Sequence, residues 1–189
     1  MDKKLHIVSA GKSEVSITAG YRKNILFVQS VTEKKIQSQA DFAKFRNNMQ
    51  VFKKRGFLVS VNETMPRYAP GFNNCNLSEI DANGQPRLVA ALTAYQYLQS
   101  RSAIQFAEGV RSISVPHNVY DKEVSDKGVV SYRIDWDSIS ENAIAMLATV
   151  YNCFNHSSTE ETYLTTVFGL LNKNRRHTNS MAKFTRGNL

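Results

Sequence analysis

Residues 57–63, Phe57-Leu58-Val59-Ser60-Val61-Asn62-Glu63, read as a strand on which Phe57, Val59, Val61 and Glu63 share one face. A carboxylate therefore ends an apolar row. Just upstream, Ser38-Gln39-Ala40-Asp41 forms a capping-box-like start, and Phe42, Phe45, Met49 and Phe52 recur at helical spacing until Gly56. Such an aromatic stripe predicts a helix packed on a core.

Working back towards the start, Leu5 to Val31 is β-rich. Leu5-His6-Ile7-Val8 opens a strand, Val15 to Ala19 alternates, and Ile25-Leu26-Phe27-Val28 is a continuous apolar run suited to a central strand. Gly20 to Asn24 joins the last two as a hairpin loop. Working forward, about 22 residues from Thr64 to Gln85 are rich in Asn, Gly and Pro, a length that tends to be functional or mobile in a compact domain. Tyr68 and Phe72 in this loop are candidates either to stack on unpaired bases or to anchor the loop to the body.

Pro86 then starts a helix carrying Leu88, Ala91, Leu92, Tyr95 and Leu98. Val110–Val115 is expected to be a strand, Val119–Gly128 a charged loop, and Val130, Tyr132, Ile134 and Trp136 a further strand by strict alternation. Two helices follow, opened by Ser138-x-x-Glu141 and Ser158-x-x-Glu161; the first buries Ala143, Leu147 and Val150, the second Tyr163, Leu164 and Phe168. The expected organisation is one α/β domain over 1–172 with a basic, flexible tail over 173–189.

The whole chain has 189 residues, 42% of them hydrophobic and 21% charged, which excludes a disordered or collagenous protein. No apolar run reaches a bilayer-spanning length, and residues 1–12 hold no signal-like apolar stretch. The expectation is a cytoplasmic, intracellular protein. Cys75 and Cys153 form no metal or disulfide pattern and are expected as buried free thiols; the four histidines share no metal-ligand spacing.

Net charge is +8, and it is clustered. From Phe42 to Asn62 lie Lys44, Arg46, Lys53, Lys54 and Arg55 with no acid, and from Thr162 onward Lys173, Arg175, Arg176, Lys183 and Arg186, again with none. Clusters of this kind serve either as solvated surface or to neutralise phosphates, which adds affinity without sequence preference. Nucleic acid stands ahead of membrane, because no segment pairs a basic face with an exposed apolar one.

Serine-hydrolase elbows, P-loops and HExxH zinc motifs are absent. The chemistry left is that of carboxylates on Mg²⁺ or Mn²⁺, with Glu63 and Glu141 as candidate catalytic residues and Glu63, Asp135 and Asp137 as candidate metal ligands. The competing readings are an ion pair for Glu63, solvation for Asp135, and helix N-terminal complements for Asp137 and Glu141.

The element order resembles the RNase H-like fold of RuvC-type resolvases and phage large-terminase nuclease domains. Ile7-Val8-Ser9-Ala10-Gly11-Lys12 resembles their first-strand segment, residues 57–63 their fourth strand, which ends in a metal-binding Glu, and Ile139 to Ala148 their last helix. The resemblance covers about residues 5–152. It implies a three-layer domain with a mixed central sheet flanked by helices, divalent-metal nuclease chemistry on DNA ahead of RNA, and a phage-like setting of DNA processing or packaging in the host cytoplasm. Two positions depart from the pattern: Ser9 stands where the first Asp belongs, and Asn142 where a last-helix Asp belongs. Two-metal cleavage needs several carboxylates around ions about 3.5–4 Å apart. The expectation is a nucleic-acid-binding protein with weak or no nuclease activity; the alternative is an assembly subunit docking on an acidic protein partner.

Overall fold

The computed structural model describes residues 3–10, 13–35, 37–62 and 72–155. Glu63, Tyr68, the second expected capping box, its helix, the boundary at Asn172 and the cations from Lys173 to Arg186 all lie outside the described residues.

Three strands open the domain: β1 (Lys3–Ala10), β2 (Glu14–Arg22) and β3 (Ile25–Lys34), each antiparallel to the next. The β2–β3 turn narrows to Lys23-Asn24, both at positive φ (49° and 63°), the geometry of a two-residue turn matched to strand twist. Helix α1 (Gln39–Lys54) follows, with the Ser38 side chain accepting from the Asp41 N–H at 3.1 Å as its N-cap. Its end is fixed as firmly. Gly56 adopts φ +79°, its N–H donates to Lys53 O, and the Phe57 N–H reaches back to Phe52 O at 3.1 Å, while the two rings meet edge-on at 5.1 Å. That stop aims the chain straight into β4 (Leu58–Asn62), which pairs parallel to β1.

After residue 71 come the two-residue β5 (Asn73–Asn74), parallel to β4, helix α2 (Arg87–Ser100), and β6 (Ile104–Phe106), parallel to β3. The sheet order is β5-β4-β1-β2-β3-β6. Strand β2 runs against its neighbours and the other strands run together, which is the order and direction of an RNase H-like mixed sheet. Both helical crossovers, β3-α1-β4 and β5-α2-β6, join parallel strands but cross the sheet in opposite senses. Right-handed connection then puts α1 and α2 on opposite faces. Helix α3 (Glu141–Asn155) shares the α2 side, since Arg87 at the start of α2 lies over the Tyr151 ring at 5.8 Å. Three layers result, with Leu5, Ile7, Ile17, Leu92, Met146 and Leu147 fully buried.

Several expectations need correction. The run Ile25 to Val28 lies in an interior strand, between β2 and β6, but only Leu26 and Val28 are buried, while Ile25 and Phe27 on the other face are each 38% exposed. Residues 110–115 form no strand, because the apolar alternation there finds no backbone partner; the strand lies earlier, at β6. The supposed charged loop holds β7 (Tyr120–Val124), which pairs antiparallel with β8 (Val130–Ile134) as a separate two-stranded sheet. Helix α3 is capped by Ser140, whose Oγ accepts from the Ala143 N–H at 3.2 Å, whereas Ser138 sits in a 3₁₀ turn over Trp136–Ser138. Phe45 and Phe52 are half-buried rather than core residues, and Met49 is the fully buried member of their stripe.

Candidate functional site

The parallel ends of β1 and β4 are where the resemblance places metal chemistry. Ser9 is in register with Asn62, and the Asn62 Nδ2 donates to Ser9 Oγ at 3.1 Å. The amide oxygen is also engaged: Asn62 Oδ1 accepts the Leu77 N–H at 2.9 Å, which fixes the orientation of the amide, since only oxygen can accept there. Two residues earlier in β4, on the same face, fully buried Ser60 donates to Asn152 Oδ1 of α3 at 2.7 Å, and Asn152 Nδ2 donates to Ala148 O at 2.8 Å. Beside this row the Cys75 N–H donates to Val61 O at 2.8 Å, and burial pushes the Cys75 thiol up to about 11. Cys75 and Cys153 are both buried and form no disulfide.

This row is neutral and internally satisfied. A hard divalent cation needs several oxygen donors with available lone pairs. At this position the Asn62 amide turns N–H groups towards Ser9, and neither side chain carries charge, so the Ser9–Asn62 pair does not fit Mg²⁺ or Mn²⁺.

The other candidate acids lie apart from the pair in the chain and in environment. Asp135 and Asp137 are exposed around the 3₁₀ turn, where the Asp135 N–H donates to Val119 O at 2.9 Å. Glu141 is half-buried in the first turn of α3, followed by Asn142, whose Oδ1 is buried without a hydrogen-bond partner. Among the described residues no three His, Cys, Asp or Glu side chains gather as a metal-holding group. Val59 and Val61 pack with Val8 and Met49 on the α1 side. Asn62 is the β4 side chain that meets Ser9, and its signal was the polar row Ser60 and Asn62. Glu14, only 7% exposed and opposite Ala10 in register, is a buried carboxylate that pattern reading also missed.

The α1 face is built from different materials. His6 stacks on Phe52 with ring centroids 3.8 Å apart, its Nδ1 lies 3.0 Å from Thr18 Oγ1, and burial lowers its pKa to about 4. Phe72 packs on the same cluster beneath the Lys53 ammonium, 5.8 Å from its ring, so this aromatic anchors the loop. Lys44, Arg46, Lys53, Lys54 and Arg55 are all exposed. At 100° per residue Arg46 and Lys53 flank the buried stripe on one side, Lys44 and Arg55 on the other, and Lys54 lies opposite it. The cations thus spread over the whole outer surface of α1.

No family model and no curated protein matches the chain. Among solved structures, it is similar to the large terminase nuclease from thermophilic phage G20c, at 10% identity over 80% of this chain and 82% of that one, with a TM-score of 0.46. It is similar to the large terminase nuclease domain of bacteriophage SPP1 with bound Mn, at 10% identity, 80% and 86% coverage and a TM-score of 0.45. The human cytomegalovirus terminase nuclease domain is similar at 9% identity, 84% and 86% coverage and a TM-score of 0.45. Among the described residues no helix is long and apolar enough to cross a membrane.

Proposed function

We propose that this chain is an RNase H-like nucleic-acid-binding domain that grips the phosphate backbone, DNA ahead of RNA, and cleaves it feebly or not at all. The observation that carries the reading is the exposed cationic surface of α1, which holds no acid from Phe42 onward. From Lys44 to Arg55 the helix rises about 16 Å, which at about 3.4 Å of axis per phosphate on one strand spans about five phosphates. Weak or absent cleavage is supported by the Ser9–Asn62 pair, which offers amide and hydroxyl groups where Mg²⁺ or Mn²⁺ would need carboxylates. If the protein does cleave, Glu63 and Glu141 are the residues to carry it, with Asp135 and Asp137 as supplementary ligands. The context implied by the sequence resemblance is phage-like DNA processing or packaging in a cytoplasm. The domain boundary at Asn172 and the extension of the binding surface by Lys173, Arg175, Arg176, Lys183 and Arg186 belong to the same proposal.

Fluorescence anisotropy of a labelled DNA duplex across a salt series tests it. With up to five phosphates neutralised, affinity falls by up to about 500-fold from about 50 to about 200 mM salt. A flat salt response, or no binding at low salt, overturns the binding reading. Robust Mg²⁺- or Mn²⁺-dependent cleavage by the unmodified protein overturns the feeble-nuclease reading, and loss of that cleavage in Glu63→Gln would assign it to Glu63.

A further inference from the structure

Strand β3 ends at Lys34 and is followed by Lys35, neither of which belongs to the two basic clusters read from the sequence. In register, Lys34 stands opposite Glu14, which in turn stands opposite Ala10, a residue of the α1-side cluster; Lys34 therefore faces the α1 side. There it meets the first turns of α1. Lys34, Lys35, Asp41, Lys44, Phe45 and Asn48 line a cleft of about 220 Å³. Glu33 turns the other way, into a separate groove with Arg111.

We propose that this cleft seats one backbone phosphate of the bound nucleic acid, a reading that rests on the binding function above and fixes where the strand leaves α1. Three ammonium groups and the Asn48 amide can all donate to phosphate oxygens, and the half-buried Phe45 ring closes one wall. One carboxylate opposes them. The Ser38 hydroxyl donates to Asp41 Oδ2 at 2.7 Å, and with Lys44 nearby the carboxyl is held below its usual range, so Asp41 stays ionised and the lining carries a net charge of about +2. Glu14, although next to Lys34, is buried and does not line the cleft. A phosphate seated here would extend the cationic track of α1 beyond Lys44 towards the sheet edge.

The test compares equal charge changes inside and outside the cleft. In duplex anisotropy at about 0.1 M salt, Lys34→Ala/Lys35→Ala should weaken binding about ten-fold and lower the salt slope by about one. Lys122→Ala/Lys127→Ala on the β7–β8 hairpin should change it less than about two-fold. Asp41→Asn should tighten binding several-fold, since it removes the one charge that repels the phosphate, while Asp126→Asn on the hairpin should not. Equal effects of the cleft and hairpin pairs, or no tightening by Asp41→Asn, overturn the seat while leaving the binding function intact. Titration with inorganic phosphate, followed by amide shifts over Lys44 to Asn48, separates the remaining cases. Shifts that vanish in the double variant support the seat even if the duplex does not bind, in which case the function falls alone; absence of both shifts and duplex binding overturns both.

Discussion

The two faces of the central sheet solve opposite problems with neighbouring residues of the same strands. Ile7, Ser9, Ser60 and Asn62 turn towards α3 and form a neutral row, buried except for half-buried Asn62, whose polar groups bond to one another, to Asn152 and to the Leu77 N–H. His6, Val8, Val59 and Val61 turn towards α1, where half-buried rings support an exposed cationic surface. The difference teaches that, on the proposed reading, binding and cleavage would have separate physical supports. The exposed cations lie on the outside of α1, while the Ser9–Asn62 pair lies across the sheet.

The largest expected effect breaks the α1 side alone. Lys53→Glu/Lys54→Glu/Arg55→Glu reverses three exposed charges and should lower duplex affinity by at least about 100-fold, because it removes favourable contacts and adds repulsion. The thermal midpoint should fall modestly, since acids at the C-terminal end of α1 oppose its dipole and Lys53 leaves the Phe72 ring, so affinity is read well below the midpoint. A binding loss below about three-fold would show that the helix is a solvated surface and the contacts lie elsewhere.

The opposite face should break in the opposite sense. Asn152→Ala leaves the buried Ser60 hydroxyl without its acceptor and opens a void beneath β4, at a cost of about 2–4 kcal/mol in denaturant unfolding. Duplex affinity of the folded variant should stay within about two-fold of the parent. A variant that unfolds normally but loses binding would merge the two faces into one site and contradict the division drawn here.

How much of this division was legible in the sequence depended on where each pattern met a partner. The first three strands, the Ser38 cap, the Gly56 stop and β4 were readable because local signals and burial agree there. Strand β7 was hidden by Asp121-Lys122-Glu123, whose charges read as loop although cross-strand pairing with Ser131 to Arg133 orders them. Residues 110–115 erred the other way, since apolar alternation cannot supply a neighbouring strand. At the candidate site Glu63 lies outside the described residues, and the side chain beside Ser9 is decided by register, which places Asn62 there.

Acid should sharpen the comparison on the α1 side. His6 has its pKa lowered from 6.5 to about 4 by burial, so the folded state binds the proton less well than the unfolded chain. Its contribution is therefore complete above about pH 6.5 and is lost as pH falls through about 4, by up to about 3 kcal/mol. Denaturant unfolding from pH 7 to 4, with His6→Gln as reference, checks this. The parent should show the steeper decline; parallel curves would mean that His6 protonates in place without disturbing the Phe52 stack.

The smallest effect belongs to the β7–β8 hairpin, which lies outside the sheet and serves as the comparison's neutral ground. Arg133 and Asp121 are register partners joined at 2.9 Å, and the carboxylate raises the guanidinium pKa, yet their side chains are 79% and 67% exposed. Water and salt screen such a pair, and its geometry must be held against the entropy of two mobile side chains. Arg133→Ala should therefore leave the thermal midpoint unchanged within error and duplex affinity within about two-fold. A clear drop in affinity would add the hairpin to the binding surface and make Lys122 and Lys127 unsuitable as controls for the cleft at Lys34 and Lys35. A clear drop in stability with binding intact would instead mean that the charged face of the hairpin is held in a structure more cooperative than its exposure implies.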